Sequence, residues 1–206
     1  MLRDLAGNGR LKRSFFERYT PDVARELVGS SLVRVVGERR VTGIVVETEA
    51  YRGPRDPASH AHRGVTHRNI VMFGPPGFAY VYFTMGVHYC LNVSTEAVGS
   101  PGAVLLRAVQ PVDGIDVMSE NRGVDDIRRL ASGPGNLAKA FAVDGAFNGE
   151  DLVNSDRLYF ERGKAVGPVR ATARVGVAEA RSRPWRYYVR GSPFVSRGRP
   201  SWPQNP

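Results

Sequence analysis

Cysteine is almost missing from this chain. Cys90 is the only one, which excludes an internal disulfide and any multi-cysteine zinc site. Set in an aromatic and apolar stretch, it reads as a buried structural thiol. Lysine is nearly as scarce: only Lys12, Lys139 and Lys164 occur, so almost all of the 29 basic residues are arginines. The arginine fork suits phosphates and base edges, although genome base composition accounts for such a bias equally well. Long apolar runs are lacking too, and none approaches the ~18–20 residues of a membrane helix. Charges come early (Arg3, Asp4, Arg10, Lys12, Arg13) without an apolar segment, so no signal peptide and no membrane partner are expected. Acid is in deficit. With 20 acidic residues the net charge is +9 and the sequence pI about 10.2, which points to an anionic partner, most commonly nucleic acid.

What is present suits one folded unit. A 42% hydrophobic share and 9% aromatics exclude a wholly disordered polymer, and 206 residues can bury one good core. Residues 1–19 read as a polar N-terminal segment whose Phe15-Phe16 pair can pack against the body. Thr20-Pro21-Asp22 reads as a helix start, with threonine as the cap, and Val23, Ala24, Leu27 and Val28 form its apolar face before Gly29 ends it. Ser31–Val36 and Val41–Thr48 flank Gly37-Glu38-Arg39-Arg40 as a hairpin. A loop from Arg52 to about Phe78 is dense in Pro, Gly, His and Arg, and long ordered loops are usually functional. Strands are expected at Ala79–Phe83, Ala103–Val109, Arg157–Phe160, Val169–Val177 and Arg186–Val189, and helices at Asp113–Asn121 and Gly135–Val143. The expected fold is α+β, a single compact domain with a mainly antiparallel β-sheet and peripheral helices. It occupies residues 20–196, with 197–206 as a flexible C-terminal tail.

The most informative stretch is Gly43-Ile44-Val45-Val46-Glu47-Thr48-Glu49-Ala50-Tyr51. Period-2 alternation puts Val45, Glu47, Glu49 and Tyr51 on one strand face. Two carboxylates and a ring thus emerge where an apolar strand runs out into a loop. Ionised groups are costly to bury unpaired, so surface ion pairs with the many arginines explain the glutamates as well as chemistry does. The loop adds His60, His62 and His67, suited to loop hydrogen bonding and less to a metal, since catalytic zinc comes with tighter ligand motifs. Tyr80 and Tyr82 share one face of the next strand, as core packing or as walls for a flat aromatic ligand.

Eight segments together make a pattern. Glu47-Thr48-Glu49-Ala50-Tyr51, Asn69-Ile70-Val71-Met72-Phe73, Tyr80-Val81-Tyr82-Phe83, Leu91-Asn92-Val93, Val104-Leu105-Leu106-Arg107-Ala108, Ser132-Gly133-Pro134, Ala173-Arg174-Val175-Gly176-Val177 and Tyr188-Val189-Arg190-Gly191-Ser192-Pro193 keep their order over roughly residues 20 to 196. In these segments the chain resembles bacterial members of the alkyladenine (3-methyladenine) DNA glycosylase family.

The resemblance implies a monofunctional enzyme of base excision repair. It would flip an alkylated purine out of double-stranded DNA and hydrolyse its N-glycosidic bond, as a cytoplasmic, nucleoid-associated monomer without cofactor or metal. Glu49 matches the general base, Arg107 an arginine that helps hold the attacking water, and Arg174–Val177 a segment giving that water a backbone contact. Tyr51, His60 and Tyr82 match the walls of the base pocket, and Asn92 a residue that screens exocyclic groups. Met85 stands where the family usually inserts a tyrosine into the DNA; an apolar wedge can serve there. Glu47 belongs to the pattern without an implied catalytic role. Lys139 falls in a predicted helix, so a lyase step has no obvious nucleophile. Two other readings stand beside this one. Glu47 and Glu49, about 6–7 Å apart at strand rise, could serve a carbohydrate hydrolase. The charge and aromatics with Gly133-Pro134-Gly135 could serve a non-enzymatic DNA-binding protein.

Overall fold

The computed structural model describes residues 9–163, 166–180 and 182–198. Its first hairpin is the expected one: β1 (Ser31–Val36) pairs antiparallel with β2 (Arg39–Arg52), Val36 opposite Arg39. Gly37 at the turn has φ +59°, which glycine adopts without a Cβ penalty. β2 is the spine of the molecule. One edge pairs first with β1 and then, over Glu47–Glu49, with β8 (Arg186–Val189); the other edge pairs with β5 (Gly102–Asp113). β3 (Ala79–Thr84) and β4 (His88–Thr95) continue the sheet beyond β5, β6 (Leu158–Glu161) flanks β1, and β7 (Val169–Thr172) joins β8. The pairings of this eight-stranded sheet are antiparallel.

Short helices cover the sheet. They are α1 (Arg13–Phe16), α2 (Thr20–Leu27), α3 (Ile115–Arg122), α4 (Ile127–Leu130) and α5 (Pro134–Ala140). α2 buries Val23, Ala24 and Leu27 against β2 and β5, and α5 packs on β4 and β5. Each fully buried aliphatic side chain stabilises by about 1.5–3 kcal/mol. Phe16 of α1 is fully buried in the same core, its ring centroid 6.0 Å from that of Phe160. A second, smaller cluster of Ala61, Met72, Tyr80 and Ala103 holds the 53–78 loop against the sheet. The molecule is a single α+β domain.

Several local expectations need correction. The helix that begins at Thr20 has Tyr19 at its N-cap position without a side-chain capping bond, and the Thr20 hydroxyl is engaged with Thr95 and Glu96 instead. β4 carries polar residues alternating with apolar ones and had no strand expectation. It is buried on both faces, so its alternation separates two buried environments rather than core from water. Val169–Val177 is a strand only as far as Thr172; Gly176 at φ +71° turns the chain and Arg174 is drawn inward. The tail from 199 onward and residues 1–8 lie outside the described residues.

Candidate active site

Two compensating irregularities build the site. In β2 the register with β5 shifts between Val45 and Glu47, and again between Glu47 and Thr48. Val46 is thus the extra residue on one strand and Arg107 on the other. Bulges re-aim side chains and are common beside active sites. Here they bring Glu47, Glu49 and Arg107 together in the interior of the sheet. The glutamates are therefore neither at a strand end nor on the surface, as the sequence suggested: β2 runs on to Arg52, and both carboxylates are fully buried.

Their environments differ. Glu47 Oε1 accepts from Arg107 Nε at 2.8 Å, Arg186 Nε at 2.7 Å and Ser196 Oγ at 2.9 Å, and Oε2 accepts from the Ser196 backbone N–H at 2.7 Å. Burial pushes the Glu47 carboxyl up, but the two guanidinium charges and the Ser196 N–H overcome it and hold the group below the ordinary value. Glu49 has fewer donors. Its Oε1 accepts from the Val175 N–H at 2.7 Å, and Oε2 from Tyr51 Oη at 2.7 Å and Arg107 Nη1 at 3.3 Å. For Glu49 burial wins over Arg107, the Val175 N–H and Tyr51, and Glu47 adds like-charge repulsion, so its pKa is raised. Neighbouring carboxyls with pKa values pushed apart are a mark of divided acid–base roles.

The clamp that sets this geometry was not read from the sequence. Arg174, fully buried, meets Asp56 bidentately: Nη1 to Oδ2 and Nη2 to Oδ1, both at 2.7 Å. Nη1 also donates to the Ala50 carbonyl at 3.0 Å, and the guanidinium lies 4.6 Å from the Tyr51 ring centroid. One side chain thereby ties the 53–78 loop, the Ala173–Val177 segment and β2 together, and aims the Val175 N–H at Glu49. Asp56 and Arg174 stand 118 residues apart, so no local pattern links them. Ser196 and Arg186 were missed for the same reason.

Above this cluster lies a cavity of about 200 Å³ lined by Tyr51, His60, Tyr82, Asn92, Val175 and Val177, among others. Tyr51 and Val175 are shared between its wall and the hydrogen bonds to Glu49. The His60 and Tyr82 rings meet edge to face with centroids 4.6 Å apart, and His60 Nδ1 lies 2.8 Å from Tyr80 Oη. Burial, with the nearby Arg68 charge, pushes the His60 pKa down, which favours the neutral imidazole. Asn92, 3% exposed, donates from Nδ2 to the Tyr80 carbonyl at 2.9 Å. Met85 sits apart, at the β3–β4 turn with φ +53° and 88% of its surface exposed, between the exposed Phe83 and Val87. His62 bonds the Pro54 carbonyl, and among the described residues no three His, Cys, Asp or Glu side chains converge to hold an ion.

The profile of the family described as Methylpurine-DNA glycosylase (MPG) matches residues 14–193. The chain belongs to the methylpurine-DNA glycosylase family. It is 45% identical over 189 residues to a protein of Carboxydothermus hydrogenoformans, covering 91% of this chain and 98% of that one. To a Methanocella arvoryzae protein it is 47% identical over 194 residues (92% and 97% covered), and to one from Rhodopseudomonas palustris strain BisB18 49% identical over 190 (91% of each). All three bear the name "Putative 3-methyladenine DNA glycosylase". As a methylpurine-DNA glycosylase the chain is a hydrolase of N-glycosyl bonds that acts on DNA in base excision repair. That sets aside the carbohydrate-hydrolase and non-enzymatic readings. No helix of the described residues is long and apolar enough to cross a membrane.

Proposed function

We propose that this glycosylase excises alkylated purines of the 3-methyladenine class from double-stranded DNA, with Glu49 as the general base. The carrying observation is a buried carboxyl of raised pKa bonded to two residues, Tyr51 and Val175, that line the cavity. At ~30 Å³ per water the cavity equals roughly seven waters, the scale of one purine. The Tyr51 and Tyr82 rings offer π faces that attract a cationic base, and a neutral His60 does not repel it. An alkylated purine already carries positive charge, so it leaves without being protonated. Water oxygen bonds to C1′ of the sugar, the water proton passes to Glu49, and the electrons of the broken C–N bond neutralise the departing base. Because proton-transfer efficiency grows as the base pKa approaches the working pH, the raised Glu49 pKa favours that transfer. Arg107 keeps the carboxylate populated and oriented.

In this reading Asn92 screens exocyclic groups at the cavity wall, and Met85 is the wedge that fills the vacated stack. A nearly bare methionine at a hairpin tip has no packing reason to be apolar, and apolar wedges between base steps are a known device. Residues 20–196, with Phe16 of α1 packed into their core, form the glycosylase domain, which works as a monomer on nucleoid DNA in the cytoplasm. The test is release of free base from methylated duplex. Released 3-methyladenine with abasic sites and no strand cleavage is expected; release of other bases while methylated purines stay in the DNA would overturn the substrate class.

A further inference from the structure

A concave surface of about 410 Å³ lies outside the base pocket. Arg122 at the end of α3, Arg128 and Arg129 of α4, and Arg197 line it, together with Ser132 and Asn136. None of the four arginines forms an ion pair with a carboxylate among the described residues. By contrast Arg10, Arg13, Arg18, Arg39, Arg40, Arg52 and Arg157 all do. The one carboxylate in the lining, Asp126, accepts the Arg128 backbone N–H at 3.0 Å. Arg122 is held below its ordinary pKa by burial and by the Arg129 charge, so like charges face each other here, four arginines against the single carboxylate of Asp126. The trough is one residue removed along the chain from the Glu47–Arg107 cluster. Ser132 bridges to Ala108, next to Arg107, and its hydroxyl donates to the Val195 carbonyl at 3.4 Å, one residue before the Ser196 that holds Glu47.

We infer that this trough is a phosphate-binding site, in which Arg128, Arg129 and Arg197 take backbone phosphates of the DNA flanking the reacting nucleotide. Guanidinium forks match phosphate oxygens bidentately, and an anion there relieves the excess positive charge. The inference rests on DNA as the substrate, and base release by the unaltered protein tests that separately.

The experiment compares R128Q/R129Q/R197Q with the unaltered chain by fluorescence anisotropy on undamaged duplex across a salt series. Arg122 is left in place because its Nε holds the Leu130 carbonyl at 2.9 Å. Each lost phosphate contact flattens the slope of log K against log salt by about 0.9. The expected result is a slope shallower by about 2.7 and a weaker Kd, with an unchanged melting temperature. K12Q/R162Q removes charge from a separate groove beside α1 and β6 and should leave the slope within about 0.5 of the unaltered value. An unchanged slope in the triple variant overturns the site. So does an equal loss in K12Q/R162Q, which would make the effect one of overall charge.

Discussion

Replacing Glu47 by Gln should unfold this protein at a markedly lower temperature, although the residue is given no part in the chemistry. Its carboxylate accepts four hydrogen bonds, from Arg107, Arg186 and twice from Ser196, with no exposure to water. A glutamine keeps the shape, but its amide nitrogen cannot accept and meets donors. Arg107 retains Glu49 at 3.3 Å, whereas Arg186 loses the anion its Nε contacts. Breaking a buried pair by neutralising one partner costs about 3–5 kcal/mol, a large part of the ~5–15 kcal/mol that holds a domain together. At about 2–4 °C per kcal/mol for a domain of this size, the expected fall in Tm is roughly 6–20 °C at pH 7. The sign follows from the lowered Glu47 pKa. Its contribution is fully present above the ordinary carboxylate range and is lost as pH falls through the lower folded value, so the two proteins should converge in acid. Glu49→Gln should behave oppositely, because a raised pKa means the charged form is disfavoured by the fold. Its Tm at pH 7 should equal or exceed that of the unaltered protein. Calorimetric scans of both variants check this; a Glu47→Gln Tm within about 2 °C of the unaltered chain would refute the division of roles.

Arg174→Lys keeps a charge but loses the fork on Asp56, so the Val175 N–H should drift from Glu49; base release should slow and the acid limb of its pH profile move upward, whereas a lower Tm with an unmoved limb would mean a purely structural clamp. In the unaltered enzyme, activity should be lost as pH falls through a value above the ordinary carboxylate range, since a general base at Glu49 must be deprotonated to act; a single-turnover profile flat down to pH ~4.5 would contradict this. Met85→Ala should lower excision from duplex more than from single strands, whose unstacking cost is smaller by up to a few kcal/mol; equal losses would make Met85 structural.

Much of the frame was legible because it is local. The β1–β2 hairpin follows from a glycine turn between β-rich segments, and the shared face of Glu47, Glu49 and Tyr51 follows from strand alternation. The Phe15-Phe16 pair was legible too, since adjacent aromatics in a polar stretch need a place to pack. What was not legible is long-range. Paired bulges at Val46 and Arg107 exist only once β2 meets β5, and they turn glutamates that looked like surface partners into a buried cluster. The Asp56–Arg174 clamp joins distant segments, and nothing around Arg174 marks it as the largest fully buried side chain. β4 escaped because polar residues such as Asn92 and Ser94 are buried with partners, against the usual sense of a polar strand position.

The central claim, that Glu49 takes the proton of the attacking water, is tested most directly by one single-turnover measurement on a duplex carrying a methylated purine. Glu49→Gln should form abasic sites about 10²–10⁴-fold more slowly while binding the lesion as tightly as the unaltered enzyme. Excision within a few-fold of the unaltered rate, with the fold intact, would contradict it.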